Sequence, residues 1–183
     1  KAECDVVCTS ANALAIVEGV PQDEVVFLPD RFMAMNLKRL TRKRIIPFTG
    51  RCIVHETFSG PVARSWREAH PDARMLVHTE SPPEVVDQAD LAGGTGDMVE
   101  YIRNSDAREF MLVTECGLAD RMKVEFPDRT FWGTCALCLH MKRVRLRQVL
   151  QVLECPRPDQ IVEVPADVAA GARRAIDRMF ELT

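Results

Sequence analysis

A histidine and a carboxylate alternate at His78 and Glu80, directly after the apolar run 74–77. Alternate residues of a strand point the same way, so this imidazole and carboxylate can act together as an acid–base pair. The simpler interpretation is a loop ion pair without a catalytic part. His55 is another candidate at a strand end, and its simpler role is to anchor a loop.

Two cysteines, Cys52 and Cys138, lie 86 residues apart in equivalent loops. Two thiolates are too few for a closed zinc site, but a cluster held by three cysteines leaves one iron open as a Lewis acid. A metal or cluster shared between two domains is therefore one interpretation, and two buried thiols are the other. Cys135 and Cys138 also form a single CxxC pair, which is a weak zinc signal with a redox pair as its rival.

Two strand-to-helix turns carry small and hydroxylated residues. One contains Thr9 and Ser10, and the other contains Gly93, Gly94 and Thr95. Glycine lets a backbone approach a ligand closely, and a helix N-terminus offers N–H groups to an anion, so both turns can hold a carboxylate or phosphate. The pattern matches neither a Walker loop nor GxGxxG, and a tight turn needs glycine in any case.

The elements that must position these residues alternate between strand and helix. Short apolar strands separated by helices are typical of parallel βαβ units, and ligands of such sheets bind beyond the carboxyl ends of the strands. The predicted strands are 5–10, 25–28, 45–48, 74–78 and 110–114, and 91–95 is predicted as a short strand with a glycine turn. The predicted helices are 11–19, 32–40, 57–69, 82–89, 97–104, 119–124 and 141–153, with a linker strand and a helix in 162–182.

The pattern recurs with a period of about 86 residues. Cys52 recurs as Cys138, and the apolar strand that ends at Asp30 recurs 85 residues later, ending at Glu115. A period this long indicates a duplicated domain and not a stacked array of short repeats. The expected fold class is therefore α/β, with repeated three-layer αβα domains and short parallel sheets, pseudo-symmetric about a central cluster site.

Composition narrows the classes of function. Lys plus Arg total 24 and Asp plus Glu total 27, and the net charge of −3 gives no reason to expect nucleic-acid or membrane-surface binding. No run approaches the ~18 apolar residues that a transmembrane helix needs, and the first residues contain no apolar signal segment. Seven cysteines without an export signal favour a reducing compartment, so we expect a cytoplasmic protein.

Several segments together resemble the quinolinate synthase family. They are 4–13, 27–30, 50–56, 78–80, 89–95, 114–117 and 138–142. Their order and spacing agree over essentially all 183 residues, and a G-x-C-x-V-H-E block followed by H-x-E, 26 residues after the cysteine, is specific. The chain departs from the usual family pattern at Thr79, at Gly94 and at Leu139, where Pro, Ser and Pro are common.

The resemblance implies a transferase of NAD biosynthesis that uses a 4Fe–4S cluster to condense iminoaspartate with dihydroxyacetone phosphate into quinolinate. Members have three similar α/β domains, each giving one cluster cysteine. Cys52 and Cys138 would be two ligands, and the third would lie in a first domain that precedes Lys1. Residues 1–69 would then be a truncated second repeat and 70–155 the third. Residues 156–183 would form a C-terminal segment whose helix packs on the first domain.

The resemblance also implies roles for site residues. His78 and Glu80 would transfer protons, and both would bind substrate together with Ser10, Thr79 and Thr95. The open iron would help to expel water. The chain alone would be inactive, and an iminoaspartate-producing enzyme is a candidate partner. The alternatives are an iron–sulfur hydro-lyase acting on another hydroxy acid and a non-catalytic α/β fragment.

Overall fold

The computed structural model describes residues 1–134 and 136–183, so one half of the predicted CxxC pair, Cys135, lies outside the described residues. The chain divides into two compact units. The larger spans 8–137, and the smaller combines 1–7 with 138–183. Both parallel sheets lie in the larger unit. None of the helices in the described residues combines the length and apolarity needed to cross a membrane.

The first sheet of the larger unit has two parallel strands. Helix α1 (Ala13–Gly19) precedes strand β1 (Glu24–Phe27), and helix α2 (Arg31–Leu37) leads into strand β2 (Arg44–Pro47). The two helices bury their apolar residues against the strands, which stabilises the fold by about 1.5–3 kcal/mol for each large side chain fully buried. The core residues are Ala13, Val17, Phe27, Met33, Ala34, Leu37 and Ile45.

The second sheet has four parallel strands in the order β4–β3–β5–β6. They are β3 (Arg74–His78), β4 (Leu91–Gly93), β5 (Glu109–Val113) and β6 (Thr130–Gly133). The two central strands are buried along almost their whole length. Continuous apolar runs suit such strands, because both of their faces are covered.

Helices cover both faces of the second sheet. One face packs on α5 (Thr95–Asn104) and α6 (Cys116–Glu125) through one apolar cluster. The other face packs on α3 (Gly60–Ala69) and α4 (Pro83–Val86) through a second cluster. These are the three layers of an αβα domain, and the predicted α/β class with short parallel sheets is confirmed.

The smaller unit is made of helices and turns. A 3-10 turn at Met141–Arg143 is followed by α7 (Leu146–Glu154) and by the long α8 (Ala166–Glu181). Helix α8 packs against the start of the chain, where a Cβ on Gly171 would lie 3.0 Å from the carbonyl oxygen of Ala2. The packing of this helix on a first domain, and the domain boundaries drawn from the repeat, stay predictions.

Three local predictions were wrong. The linker strand expected at the start of 162–182 is absent, because residues 161–165 form no strand. Residues 5–10 form no strand. Strand β4 is held in its sheet by pairing with β3, whereas none of the described strands pairs with residues 5–10. The helix predicted over 141–153 is interrupted, because Val144 and Arg145 have extended backbones. The Gln148 side chain accepts from the Arg145 N–H at 2.8 Å and starts α7 one residue later.

The 86-residue period recurs in the backbone. Strand β1 corresponds to β5, α2 to α6, β2 to β6 and α3 to α7. The 3-10 turn at His55–Thr57 corresponds to the one at Met141–Arg143. The carbonyl oxygen of Cys52 accepts the N–H four residues later at 3.1 Å, and that of Cys138 does the same at 3.1 Å. The two cysteines thus open the same local turn.

Candidate metal and acid–base site

The candidate site lies beyond the carboxyl ends of neighbouring parallel strands in the larger unit. Asp30 follows β1, Cys52 follows β2, His78 ends β3, Glu80 lies two residues further on, and Thr114 follows β5. Open α/β sheets bind their ligands at this edge. Residues that follow four different strands therefore lie in one region, at the strand ends where the sequence predicted them.

His55 lies at the centre of this group. Its Nδ1 is 3.0 Å from Oε2 of Glu80, and its Nε2 is 3.0 Å from Oγ1 of Thr114. The ring stacks on that of His78 with centroids 4.2 Å apart and planes 2° from parallel. Only 7% of His55 and 6% of His78 is exposed. Contacts at both nitrogens and on one face fix the orientation of the His55 ring.

His78 is held as a neutral imidazole. Its Nδ1 accepts the backbone N–H of Glu80 at 3.3 Å, which leaves the ring proton on Nε2. Burial, followed by the charge of His55, lowers the pKa of His78 from its ordinary 6.5 to about 4, although the carboxylates of Glu80 and Asp97 oppose this. At neutral pH this side chain is therefore a hydrogen-bond donor through Nε2.

Glu80 is held as a carboxylate. The hydrogen bond from His55 is the largest effect and lowers the pKa of Glu80, while burial raises it. The neighbouring His78 and a hydrogen bond from the Cys52 thiol lower it further. The site thus pairs an ionised carboxylate, able to accept a proton, with a neutral imidazole that can donate one.

Cys52 is held as a protonated thiol beside two other possible metal ligands. Burial has the largest effect and raises its pKa, and the nearby carboxylates of Glu80 and Asp30 raise it further. The backbone N–H groups of His55 and Val54 hydrogen-bond to its sulfur and oppose this rise. Together, Cys52, His55 and Glu80 form a group whose donor atoms all lie within 4.8 Å of one another.

Asp30 links helix α2 to the cysteine loop, which is the segment 48–54 that contains Cys52. Its Oδ1 caps the helix by accepting the N–H of Met33 at 2.8 Å, and its Oδ2 accepts the N–H of Cys52 at 2.8 Å. The loop also passes close to the end of β1, because a Cβ on Gly50 would lie 3.2 Å from the carbonyl oxygens of Leu28 and Pro29. Both oxygens of a carboxylate that is 2% exposed are therefore engaged.

The two predicted anion turns meet. A Cβ on Gly94 would lie 2.9 Å from Oγ of Ser10, so glycine permits the close approach of this hydroxyl. Asp97 accepts the N–H of Gly94 at 2.7 Å and so starts α5 at Thr95. The charge of Asp97 also raises the pKa of His78, against the larger effect of burial.

Thr79 is held by a residue that the sequence did not single out. Asn36 on α2 donates from Nδ2 to the carbonyl oxygens of Thr79 at 2.8 Å and of Ser81 at 2.9 Å. The hydroxyl oxygens of Thr79 and Ser81 are buried and have no hydrogen-bond partner among the described residues. A buried asparagine in a helix has no sequence signal of its own, whereas His55 was marked by its position three residues after Cys52.

The sequence-predicted site residues of the larger unit thus lie at one edge of its sheets. They are Ser10, Cys52, His78, Thr79, Glu80 and Thr95. Cys138 belongs to the smaller unit. It opens the turn before α7, and its carbonyl oxygen accepts the N–H of Lys142 at 3.1 Å.

The depressed pKa of His78 predicts an acid-sensitive fold. The unfolded chain takes up this proton near pH 6.5 and the folded chain only near pH 4, so the stabilisation is present above pH 6.5 and is lost as the pH falls towards 4. His78→Asn should remove about 3 kcal/mol of the change in the free energy of unfolding between pH 6.5 and pH 4. Urea titrations of the metal-free chain at several pH values measure it. His140→Asn, at an exposed histidine, is the control, and equal slopes for both variants would contradict the prediction.

The chain is similar to known proteins over nearly its whole length. The family model described as Quinolinate synthetase A protein matches residues 1–181. Quinolinate synthase 1 of Mesorhizobium japonicum is 43% identical over 180 residues, which cover 98% of this chain and 55% of the relative. The quinolinate synthases of Xylella fastidiosa strain 9a5c and Agrobacterium fabrum are each 41% identical over 182 residues, covering all of this chain and 53% and 52% of those proteins. The chain therefore spans about half the length of the curated relatives it matches.

Proposed function

We propose that this chain, which belongs to the Quinolinate synthetase A protein family, supplies the acid–base residues and two cluster cysteines of a quinolinate synthase. The reaction would condense iminoaspartate with dihydroxyacetone phosphate to quinolinate, and an enzyme that produces iminoaspartate would be a partner. The observation that carries the proposal is the group formed by Cys52, His55 and Glu80, with donor atoms within 4.8 Å, at the strand edge where such sheets bind ligands.

The donor set fits an iron–sulfur cluster at Cys52. Burial keeps the Cys52 side chain a thiol until a metal displaces its proton, and the N–H groups of Val54 and His55 would then hydrogen-bond to the bound sulfur, as such bonds tune clusters in general. Cys138 opens the same local turn one repeat later and is proposed as the second ligand. When bound, a 4Fe–4S cluster with one open iron supplies a Lewis acid for dehydration.

The acid–base residues have complementary protonation states. Glu80 is an ionised carboxylate and would accept a proton from the substrate. His78 is a neutral imidazole whose Nε2–H would donate a hydrogen bond to a substrate oxygen. His55 is a positioning residue, because its Nδ1 holds the carboxylate while Thr114 holds its Nε2.

The turn beside this pair would hold the anionic groups of the substrates. The hydroxyl of Ser10 lies against Gly94, and Thr95 is the first residue of α5, whose N-terminal N–H groups favour a carboxylate or phosphate. Thr79 would contact the substrate beside Glu80. Both substrates carry such anionic groups, so the turn would orient them for proton transfer.

The test is an anaerobic assay of the full gene product that contains residues 1–183. After reconstitution with iron and sulfide, it should form quinolinate from iminoaspartate and dihydroxyacetone phosphate. The 183-residue chain alone is the matched control and should form none. A loaded cluster without quinolinate would favour the hydro-lyase alternative, and a full gene product that takes up no cluster would overturn the proposal.

A further inference from the structure

Three different metal-ligand types converge around His55. The Cys52 thiol donates a hydrogen bond to Glu80, and the same carboxylate lies 3.0 Å from Nδ1 of His55. All three donor atoms lie within 4.8 Å of one another. A tetrahedral zinc ion with bonds of about 2.0–2.3 Å holds its ligands about 3.3–3.8 Å apart, so small side-chain movements would close the site.

We propose that Cys52, His55 and Glu80 bind one zinc ion when no iron–sulfur cluster is present, with water as the fourth ligand. The proposal does not depend on the catalytic function of the protein. It concerns a mononuclear site made of three side chains of one unit. Since Cys52 is also the proposed cluster ligand, zinc and the cluster would exclude one another.

The charges and burial of the group suit a divalent ion. The thiolate of Cys52 and the carboxylate of Glu80 together neutralise the two positive charges of zinc, and His55 adds a neutral nitrogen. The imidazole is buried, while the side chain of Glu80 is 25% exposed and leaves a route for water. A mixed sulfur, nitrogen and oxygen donor set binds zinc more tightly than ferrous iron.

The surroundings hold the ligands in place. The Thr114 hydroxyl oxygen lies 3.0 Å from Nε2 of His55 and can accept a hydrogen bond from an Nε2–H, which frees Nδ1 for the metal. Asp30 fixes the Cys52 backbone by accepting its N–H at 2.8 Å. Binding then releases the thiol proton to solvent, and the imidazole only moves its proton from Nδ1 to Nε2.

The experiment uses the reduced chain, stripped of metal and kept without oxygen. Zinc is titrated in competition with a chromophoric chelator, and the ligands are counted by X-ray absorption. We expect one zinc ion per chain with one sulfur ligand and about three nitrogen or oxygen ligands. No competition with the chelator would overturn the proposal, as would two or more sulfurs per zinc, because other cysteines would then be the ligands.

Variants test each ligand. Because second-shell partners alone change metal affinity about 10–100-fold, Cys52→Ser and Glu80→Gln should each weaken zinc binding about 100-fold or more. Thr114→Val, which preserves volume, should weaken it about 10–100-fold if His55 binds through Nδ1. Glu56→Gln, in the same loop but paired with an arginine, is the matched control and should bind zinc normally.

A loss of folding must be separated from a loss of ligands. Zinc should raise the melting temperature of the parent chain and of Glu56→Gln, and should leave that of Glu80→Gln unchanged. Circular dichroism without metal should show the same helix content in all three proteins. Normal zinc binding by Glu80→Gln, with the same rise in melting temperature, would overturn the proposal.

Discussion

In the full gene product, Cys52→Ser should remove the cluster and reduce quinolinate formation about 1,000-fold or more. A Lewis-acidic metal contributes several kcal/mol to such a step, and each 1.36 kcal/mol is a factor of ten in rate. Serine keeps the backbone N–H that Asp30 accepts at 2.8 Å, so the loop should retain its shape. The measurements are iron and sulfide content, the cluster absorbance and quinolinate formed under anaerobic conditions.

The chain offers a matched control for this variant. Cys155 is exposed and directly follows α7, so Cys155→Ser should keep both cluster and activity. A Cys52→Ser protein with a full cluster and normal activity would contradict the assignment. Loss of the cluster in both variants would show that removing any cysteine impairs cluster assembly, and that Cys52 has no specific role as a ligand.

Glu80→Gln should lower the rate of quinolinate formation about 100–10,000-fold, the range for loss of one general acid–base group. The amide has nearly the same shape but cannot accept a proton at neutral pH. It can still accept the Nδ1–H of His55 through its oxygen. Cluster content should therefore stay normal, and the loss should appear in kcat while the acid limb of the pH–rate profile disappears.

Glu56→Gln is the control for this effect. Glu56 follows His55 directly and pairs with Arg51 at 2.8 Å, so the variant changes charge in the same loop without touching Glu80. Its rate should stay within about fivefold of the parent, as expected for a partly exposed ion pair worth about 0–1 kcal/mol. Equal losses in the two variants would show that loop charge, and not proton transfer by Glu80, limits the rate.

The strands could be predicted because their apolar runs are continuous. The predicted strand 74–78 is observed as β3 with the same bounds, and 110–114 is observed one residue earlier as β5. A parallel strand buried on both faces leaves this signal in the sequence alone. The strand predicted over 5–10 failed because an apolar run also needs a neighbouring strand, which a local pattern does not reveal.

The pairing within the site could be predicted only in part. Spacing correctly placed His78 and Glu80 at one strand end, but the closer partner of Glu80 is His55, at 3.0 Å against 3.8 Å for His78. That contact joins loops after different strands and depends on tertiary packing. The contact of Ser10 with Gly94 and the support of the loop by Asn36 are equally non-local.

The two hydrogen bonds of Asp30 couple the opening of the start of helix α2 to the opening of the cysteine loop. An opening that frees the Cys52 amide leaves half of a buried carboxylate unpaired, and uncapping the helix at Met33 does the same from the other side. Slow amide exchange at these two positions should therefore follow a single local-unfolding free energy.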